Sequence, residues 1–166
     1  FVQEYARGIP KDKVKKVGKS DRAGTKVIFE ADPTIFPVIE YDLKRILEHL
    51  KQQAYLTKGI KIEVVDKRNP PAGGETYYCY YFDGGLLSFI NHLVPAEHRL
   101  QDHSFYVDKI HNDIGVESAF MYSADVDGRE LSFANNIYTP DGGMHLTGFR
   151  SALTRVLNDY ARSNNY

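Results

Sequence analysis

The sequence predicts a mixed fold, α+β to α/β, in which short strands and hairpins alternate with amphipathic helices. Three observations predict it. Some stretches alternate with a period of two, as in Ile60-Lys61-Ile62-Glu63-Val64, the mark of a strand with one buried face. Others place apolar residues three and four apart, as in Leu146, Phe149, Leu153, Val156 and Tyr160, which form one stripe of a helix. Clusters of Pro, Gly, Asn and Asp separate the two kinds of stretch. With 166 residues, of which 42% are hydrophobic and 13% aromatic, the chain has enough apolar volume for a packed core.

Taken in order, Val2 to Tyr5 and Thr25 to Phe29 are expected as two strands, joined by a lysine-rich segment whose Gly8, Pro10, Gly18 and Gly24 supply turn chemistry. Asp32-Pro33 and Pro37 then break the chain. Ile39, Leu43, Ile46, Leu47, Leu50 and Ala54 predict a helix ending near Gly59. Ile60 to Val64 and Thr76 to Phe82 are expected to pair as a hairpin across Asn69-Pro-Pro-Ala-Gly-Gly74. Asp83-Gly84-Gly85 marks a boundary, followed by a short helix over Leu86, Phe89, Ile90 and Leu93 that Pro95 ends. After a polar loop, strands are expected over Phe105 to Ile110 and Val116 to Tyr122. Asp127-Gly128 reads as a hairpin turn that returns the chain along Glu130 to Ile137. There Leu131, Phe133, Asn135 and Ile137 alternate with Ser132, Ala134 and Asn136. A Pro/Gly turn at Thr139 to Gly143 leads into the last helix, with Arg155 and Arg162 opposite its apolar stripe and Arg150 at the stripe's border.

Composition narrows the function. A net charge of -1 does not describe a general polyanion binder, so any nucleic-acid contact must come from a local patch. One cysteine, Cys79, forms no internal disulfide, which fits a reducing compartment. No apolar run reaches membrane-spanning length. The first residues, Phe1-Val-Gln-Glu-Tyr, carry neither a starting Met nor a signal-peptide pattern, and the chain is read as an internal fragment.

No complete active site is legible. Gly142-Gly143 ahead of a helix can cradle a phosphate, but without a dinucleotide or phosphate-loop pattern the pair is read as a tight turn. The six histidines include no helical i,i+4 pair, so no metal site is expected. His145, in the first turn of the last helix, is assigned a structural hydrogen bond. Cys79 has no neighbour that would lower its pKa. Glu117, Asp125 and Asp127 are surface charges of a hairpin and not a catalytic pair. Asn135-Asn136, disfavoured inside a strand, is expected to pin a backbone or a neighbouring loop through side-chain hydrogen bonds.

Gln3-Glu-Tyr-Ala-Arg-Gly-Ile-Pro10, Gly24-Thr-Lys-Val-Ile-Phe29, Asp32-Pro-Thr-Ile-Phe36, Gly115-Val-Glu117 and the whole of Phe133 to Asn158 resemble the B subunits of bacterial DNA gyrase and of its close paralogue, topoisomerase IV. Phe-Ala-Asn-Asn-Ile and Gly-Phe-Arg-Ser-Ala-Leu-Thr-Arg-Val-Leu-Asn are the most specific of these. Met144 stands where the family has Thr between Gly-Gly and His.

The resemblance implies that residues 1–83 are the C-terminal part of an ATPase α/β sandwich of the gyrase, chaperone, histidine-kinase and mismatch-repair (GHKL) superfamily. Residues 84–166 would be the N-terminal part of a transducer domain with a left-handed βαβ crossover, against the usual handedness. It implies ATP and Mg²⁺ as cofactors of the parent. The implied partners are DNA, the gyrase A protein in a heterotetramer of two A and two B subunits, and a second copy of the B protein, in the cytoplasm. Gly24 and Thr25 match a Gly-Thr pair that binds adenine, and Arg150 matches an arginine facing a DNA path. No catalytic or metal-binding residue is carried over, because the family's general base, metal-binding asparagine and phosphate-contacting lysine match nothing in this chain. The fragment is therefore expected not to hydrolyse ATP alone. A non-catalytic module presenting Arg150, Arg155 and Arg162 to nucleic acid or protein is the competing reading. Supercoiling against relaxation, and the fragment's oligomeric state, are left open.

Overall fold

The structure, a computed structural model, describes residues 1–67, 76–125 and 127–166. It divides into two compact units, Phe1–Asp42 and Leu43–Tyr166.

In the first unit, β1 (Tyr5–Ala6) pairs antiparallel with β2 (Ile9–Pro10) around Arg7 and Gly8, both at positive φ (51° and 77°). This is the left-handed turn that matches strand twist in a two-residue hairpin. Val2 and Lys15 extend the pairing by exchanging backbone hydrogen bonds of 2.8 and 2.9 Å. The hairpin thus closes within the first fifteen residues, and Thr25 to Phe29, expected as a strand, is not one. A strand exists only where a neighbour takes its backbone groups, and the alternation of Val27 and Phe29 finds none among the described residues; both side chains are exposed. Asp32 then forms a tight turn in which its carboxylate accepts from the Thr34 amide (2.9 Å) and hydroxyl (2.6 Å).

In the second unit, α1 (Leu43–Leu56) begins one turn later than its apolar spacing predicts. Asp42, a favoured residue type for the capping position, precedes it. Gly59, at φ 81°, ends it as expected. β3 (Lys61–Asp66) and β4 (Thr76–Tyr81) form the expected antiparallel hairpin, with Glu63 opposite Cys79; its predicted loop at 69–74 lies outside the described residues. α2 (Leu86–Leu93) agrees with its predicted limits. Pro95 ends it, and a single 3₁₀ turn, Ala96–His98, follows. Arg99 closes α2 by donating from Nε to the Val94 carbonyl (3.1 Å) and from Nη2 to that of Asn91 (2.7 Å).

α1 packs on α2 and on the β3–β4 hairpin, and α2 on the strand 114–120 that follows. The centre of this packing is aromatic. Tyr55 is stacked between Phe82 (ring centroids 3.6 Å apart) and Phe89 (4.9 Å), and Ala54, Tyr55 and Phe89 are buried. Gly85 leads into α2 beside this stack. It sits at φ 56° and ψ -127°, a conformation that favours glycine, and a Cβ there would lie 3.3 Å from the Lys58 side chain.

β5 (Phe105–His111) and β6 (Ile114–Phe120) pair antiparallel. Their turn is Asn112-Asp113, both at positive φ. Glu130 to Ser132, expected in a strand returning from Asp127-Gly128, lie in no strand. The single strand expected through Ile137 is instead a second small hairpin, β7 (Phe133–Ala134) and β8 (Ile137–Tyr138), turning at Asn135-Asn136 with φ 48° and 64°. α3 (Met144–Ser163) is the last helix. Leu146, Phe149 and Leu153 of its stripe are half-buried, whereas Val156 and Tyr160 are exposed. All ladders among the described residues are two-stranded and antiparallel, so the expected βαβ crossover is not among them. No helix is long and apolar enough to cross a membrane among the described residues.

Candidate functional site

The segment carrying Arg150 is built from a clasp, a turn and a helix. Ser132, buried beside β7, and Thr139, just past β8, hold the base of the small hairpin. The Thr139 amide and hydroxyl both donate to the Ser132 carbonyl at 2.9 Å, and the two hydroxyls meet at 2.6 Å. The Gly142 amide donates to the Thr139 carbonyl at 3.0 Å, closing a turn that leaves Gly142 at φ 74° and Gly143 at φ 150°. Both values favour glycine, and a Cβ on Gly143 would meet the His145 ring at 3.0 Å. The pair is therefore a structural turn. The Nε2 of His145 lies 3.4 Å from the Thr139 hydroxyl, the structural bond expected of it, and Met144 is exposed.

Around this turn lies an open cavity of about 230 Å³, lined by polar groups of the turn and by Glu130 and Arg150. Arg150 stands two turns into α3, on the side facing the irregular chain before β7. Its Nε donates to a Glu130 carboxylate oxygen at 3.0 Å, and its Nη2 donates closely to the same oxygen. Glu130, through that hydrogen bond and its charge, raises the guanidinium pKa above its ordinary value. Both side chains are more than half exposed, at 59% and 52%. Arg150 is thus an accessible cation with a carboxylate on it. Nothing in the spacing of the sequence pairs it with a residue twenty positions earlier in irregular chain.

Asn136 does pin a neighbour, though from a turn and not from within a strand. Its Nδ2 donates to the Thr57 hydroxyl at 3.0 Å, and its carbonyl accepts from Gln53 Nε2 at 3.0 Å. The β7–β8 turn is thereby fastened to the end of α1. Neither α1 partner was signalled by periodicity, because both lie off its apolar stripe.

Gly24 and Thr25 belong to the first unit, Arg150 to the second. Gly24 and Thr25 are both exposed in irregular chain, and a Cβ on Gly24 would meet no atom within 4 Å. They offer open backbone and a hydroxyl able to donate and accept, which suits an edge contact to a base. Among the described residues no three His, Cys, Asp or Glu side chains gather as a metal site.

Elsewhere, the Asp125 carboxylate accepts from the Ser123 hydroxyl at 2.8 Å and lies 2.7 Å from His98 Nδ1. The residue types are those of a hydrolytic triad, but serine donates to the acid and not to the base, which leaves it without activation. Cys79 is exposed on β4. Beside it, hydrogen bonding to Cys79 and then to Glu63 pushes the Tyr77 phenol up to about 12.

The family model described as DNA gyrase B matches residues 85–166. The chain is 40% identical to the DNA gyrase B protein of Eisenibacter elegans over 97% of its own length and 34% of the relative's. It is also 40% identical to the corresponding protein of Clostridium acetobutylicum, over 100% of its length and 25% of the relative's. Among solved structures it is similar to the 43K ATPase domain of Thermus thermophilus gyrase B, determined in complex with an aminocoumarin. The TM-score is 0.79 at 33% identity, covering 98% of this chain and 44% of that one. The chain thus spans about a quarter to a third of the curated relatives it matches. With sequence similarity along essentially all of its residues and a shared fold, the chain belongs to the DNA gyrase B family.

Proposed function

We propose that this chain is the stretch of the B protein of an ATP-dependent type II DNA topoisomerase that links the nucleotide site to the DNA path. The observation that carries the reading is its alignment with a gyrase B ATPase domain over 98% of its length. The start of the family-model match at residue 85 supports the division into residues 1–83, the end of the ATPase domain, and 84–166, the start of the transducer. In this reading Gly24 and Thr25 contact the adenine of ATP, and Arg150 contacts DNA phosphate. The working parent uses ATP with Mg²⁺, the metal held by residues outside this chain, and acts in the cytoplasm with the gyrase A protein and a second copy of the B protein. The chain alone does not hydrolyse ATP, since none of its residues matches the family's general base; phosphate release above a no-protein control would sink that expectation.

The test of the whole reading uses the full-length B protein with its gyrase A partner. Thr25→Ala is expected to weaken ATP binding roughly five-fold, the scale of one hydrogen bond, with DNA affinity unchanged. Arg150→Gln is expected to do the reverse, lowering DNA-stimulated ATPase and strand passage at unchanged ATP affinity. Two variants that both behave as wild type would overturn the assignment of these residues.

A further inference from the structure

We propose that Glu130 is a displaceable competitor of DNA at Arg150: it holds the guanidinium in a closed pair, and a phosphate engages Arg150 only by taking the carboxylate's place. The proposal rests on the reading of Arg150 as a DNA contact and adds its regulation.

The pairing geometry is the first argument. Glu130 takes both Nε and Nη2 through one oxygen, and that edge of the guanidinium is one on which a phosphate forms a bidentate contact. Carboxylate and phosphate therefore compete for the same donors. The second argument is where the two residues stand. Arg150 is fixed in a twenty-residue helix, whereas Glu130 lies in chain that belongs to no strand or helix. The carboxylate can swing away while the cation keeps its place. Exposure is the third. Both side chains are more than half open to solvent, so an incoming polyanion reaches the pair without any part of the core opening.

Charge then gives the arrangement a consequence. The charged groups lining the cavity beside the pair are Glu130, Asp141 and Arg150, two carboxylates against one cation. With the pair closed, this surface repels DNA. With Glu130 displaced, the guanidinium is presented to it. An exposed pair is weak enough to exchange, which makes Glu130 a threshold on DNA contact and not a permanent block. Duplex DNA held close by the rest of the enzyme crosses that threshold, while stray polyanion at low concentration does not.

The experiment measures binding of the full-length B protein, in which the rest of the enzyme holds the duplex close, to a short fluorescein-labelled DNA duplex by anisotropy, across a series of salt concentrations. Four proteins are compared: wild type, Glu130→Gln, Arg150→Gln and the double variant, each checked for folding by circular dichroism. Glu130→Gln is expected to bind roughly two- to five-fold tighter, the range set by an exposed ion pair. Arg150→Gln is expected to bind more weakly, with a salt slope reduced by about one. The double variant should match Arg150→Gln, because the carboxylate acts only through the arginine. If Arg150→Gln weakens binding but Glu130→Gln changes nothing, the competitor role falls and the DNA contact stands. If Glu130→Gln tightens binding equally when Arg150 is absent, the effect is general charge and the competitor role falls again. If Arg150→Gln binds like wild type, or if none of the four proteins binds, the DNA contact fails and the competitor role with it.

Discussion

Tyr106 illustrates how one residue reconciles an unfavourable pairing that strand register imposes. β5 and β6 place Asp108 directly opposite Glu117, and like charges facing each other across a ladder repel. The Tyr106 hydroxyl donates to Glu117 at 2.9 Å, giving that carboxylate a partner. Partial burial, then the bond to Glu117, then the nearby charges push the phenol from its ordinary 10.0 up to about 12. A raised folded-state pKa favours the neutral form, so the contribution to stability is complete below pH 10 and is lost as pH rises toward 12. Ultraviolet titration should find a tyrosine with a midpoint near 12, which Glu117→Gln moves part of the way back toward 10. A midpoint insensitive to that substitution would leave burial and the charge of Asp108 as the causes. At the same scale, Arg150 was legible at the border of an apolar stripe. Its partner Glu130 was not, because spacing rules relate residues within one element and Glu130 belongs to none.

Among the elements, the helices and β3 were legible because each carries its own repeat over six residues or more, and β4, which has no strict alternation, because Asn69-Pro-Pro-Ala-Gly-Gly74 in the sequence sets it off as the second arm of a hairpin. The smaller hairpins were not, for a reason of parity. In β7–β8, Phe133 faces Tyr138 and Ala134 faces Ile137, so a two-residue turn places 133 with 138 on one face, and the alternation of 133, 135 and 137 describes no common surface. The turns at Asn112-Asp113 and Asn135-Asn136 depend on Asn and Asp tolerating positive φ, a signal masked by the more familiar Asp127-Gly128. Asn136 carries both the dihedral and the bond to Thr57, and two substitutions separate them. Asn136→Gly keeps the dihedral and loses the bond, at an expected cost of about 1 kcal/mol. Asn136→Ala loses both and should cost about 1 kcal/mol more. Urea denaturation of both variants, with and without Thr57→Ala, checks this: the glycine variant's loss should vanish when Thr57 is already alanine.

At the scale of the whole molecule, the outcome is governed by how little of the apolar surface is covered. Val27, Ile28, Phe29, Ile35 and Phe36 in the first unit, and Val156 and Tyr160 on α3, are all exposed. This is why period alone misjudged Thr25 to Phe29: alternation records which residues seek cover, and a strand also needs a neighbour to supply it. Protection is accordingly expected to be concentrated where packing is. Hydrogen exchange followed by mass spectrometry should find residues 16–31 exchanging at unprotected rates, since no ladder or helix holds their amides. The slowest exchange should lie in α1, α2 and the β3–β4 hairpin, which share the Phe82–Tyr55–Phe89 stack. Phe89→Ala removes one face of that stack at an expected cost of about 3 kcal/mol. It should therefore accelerate exchange in all of these elements together while leaving the β1–β2 hairpin unchanged. Acceleration confined to α2 would mean that the aromatic stack does not unify the second unit.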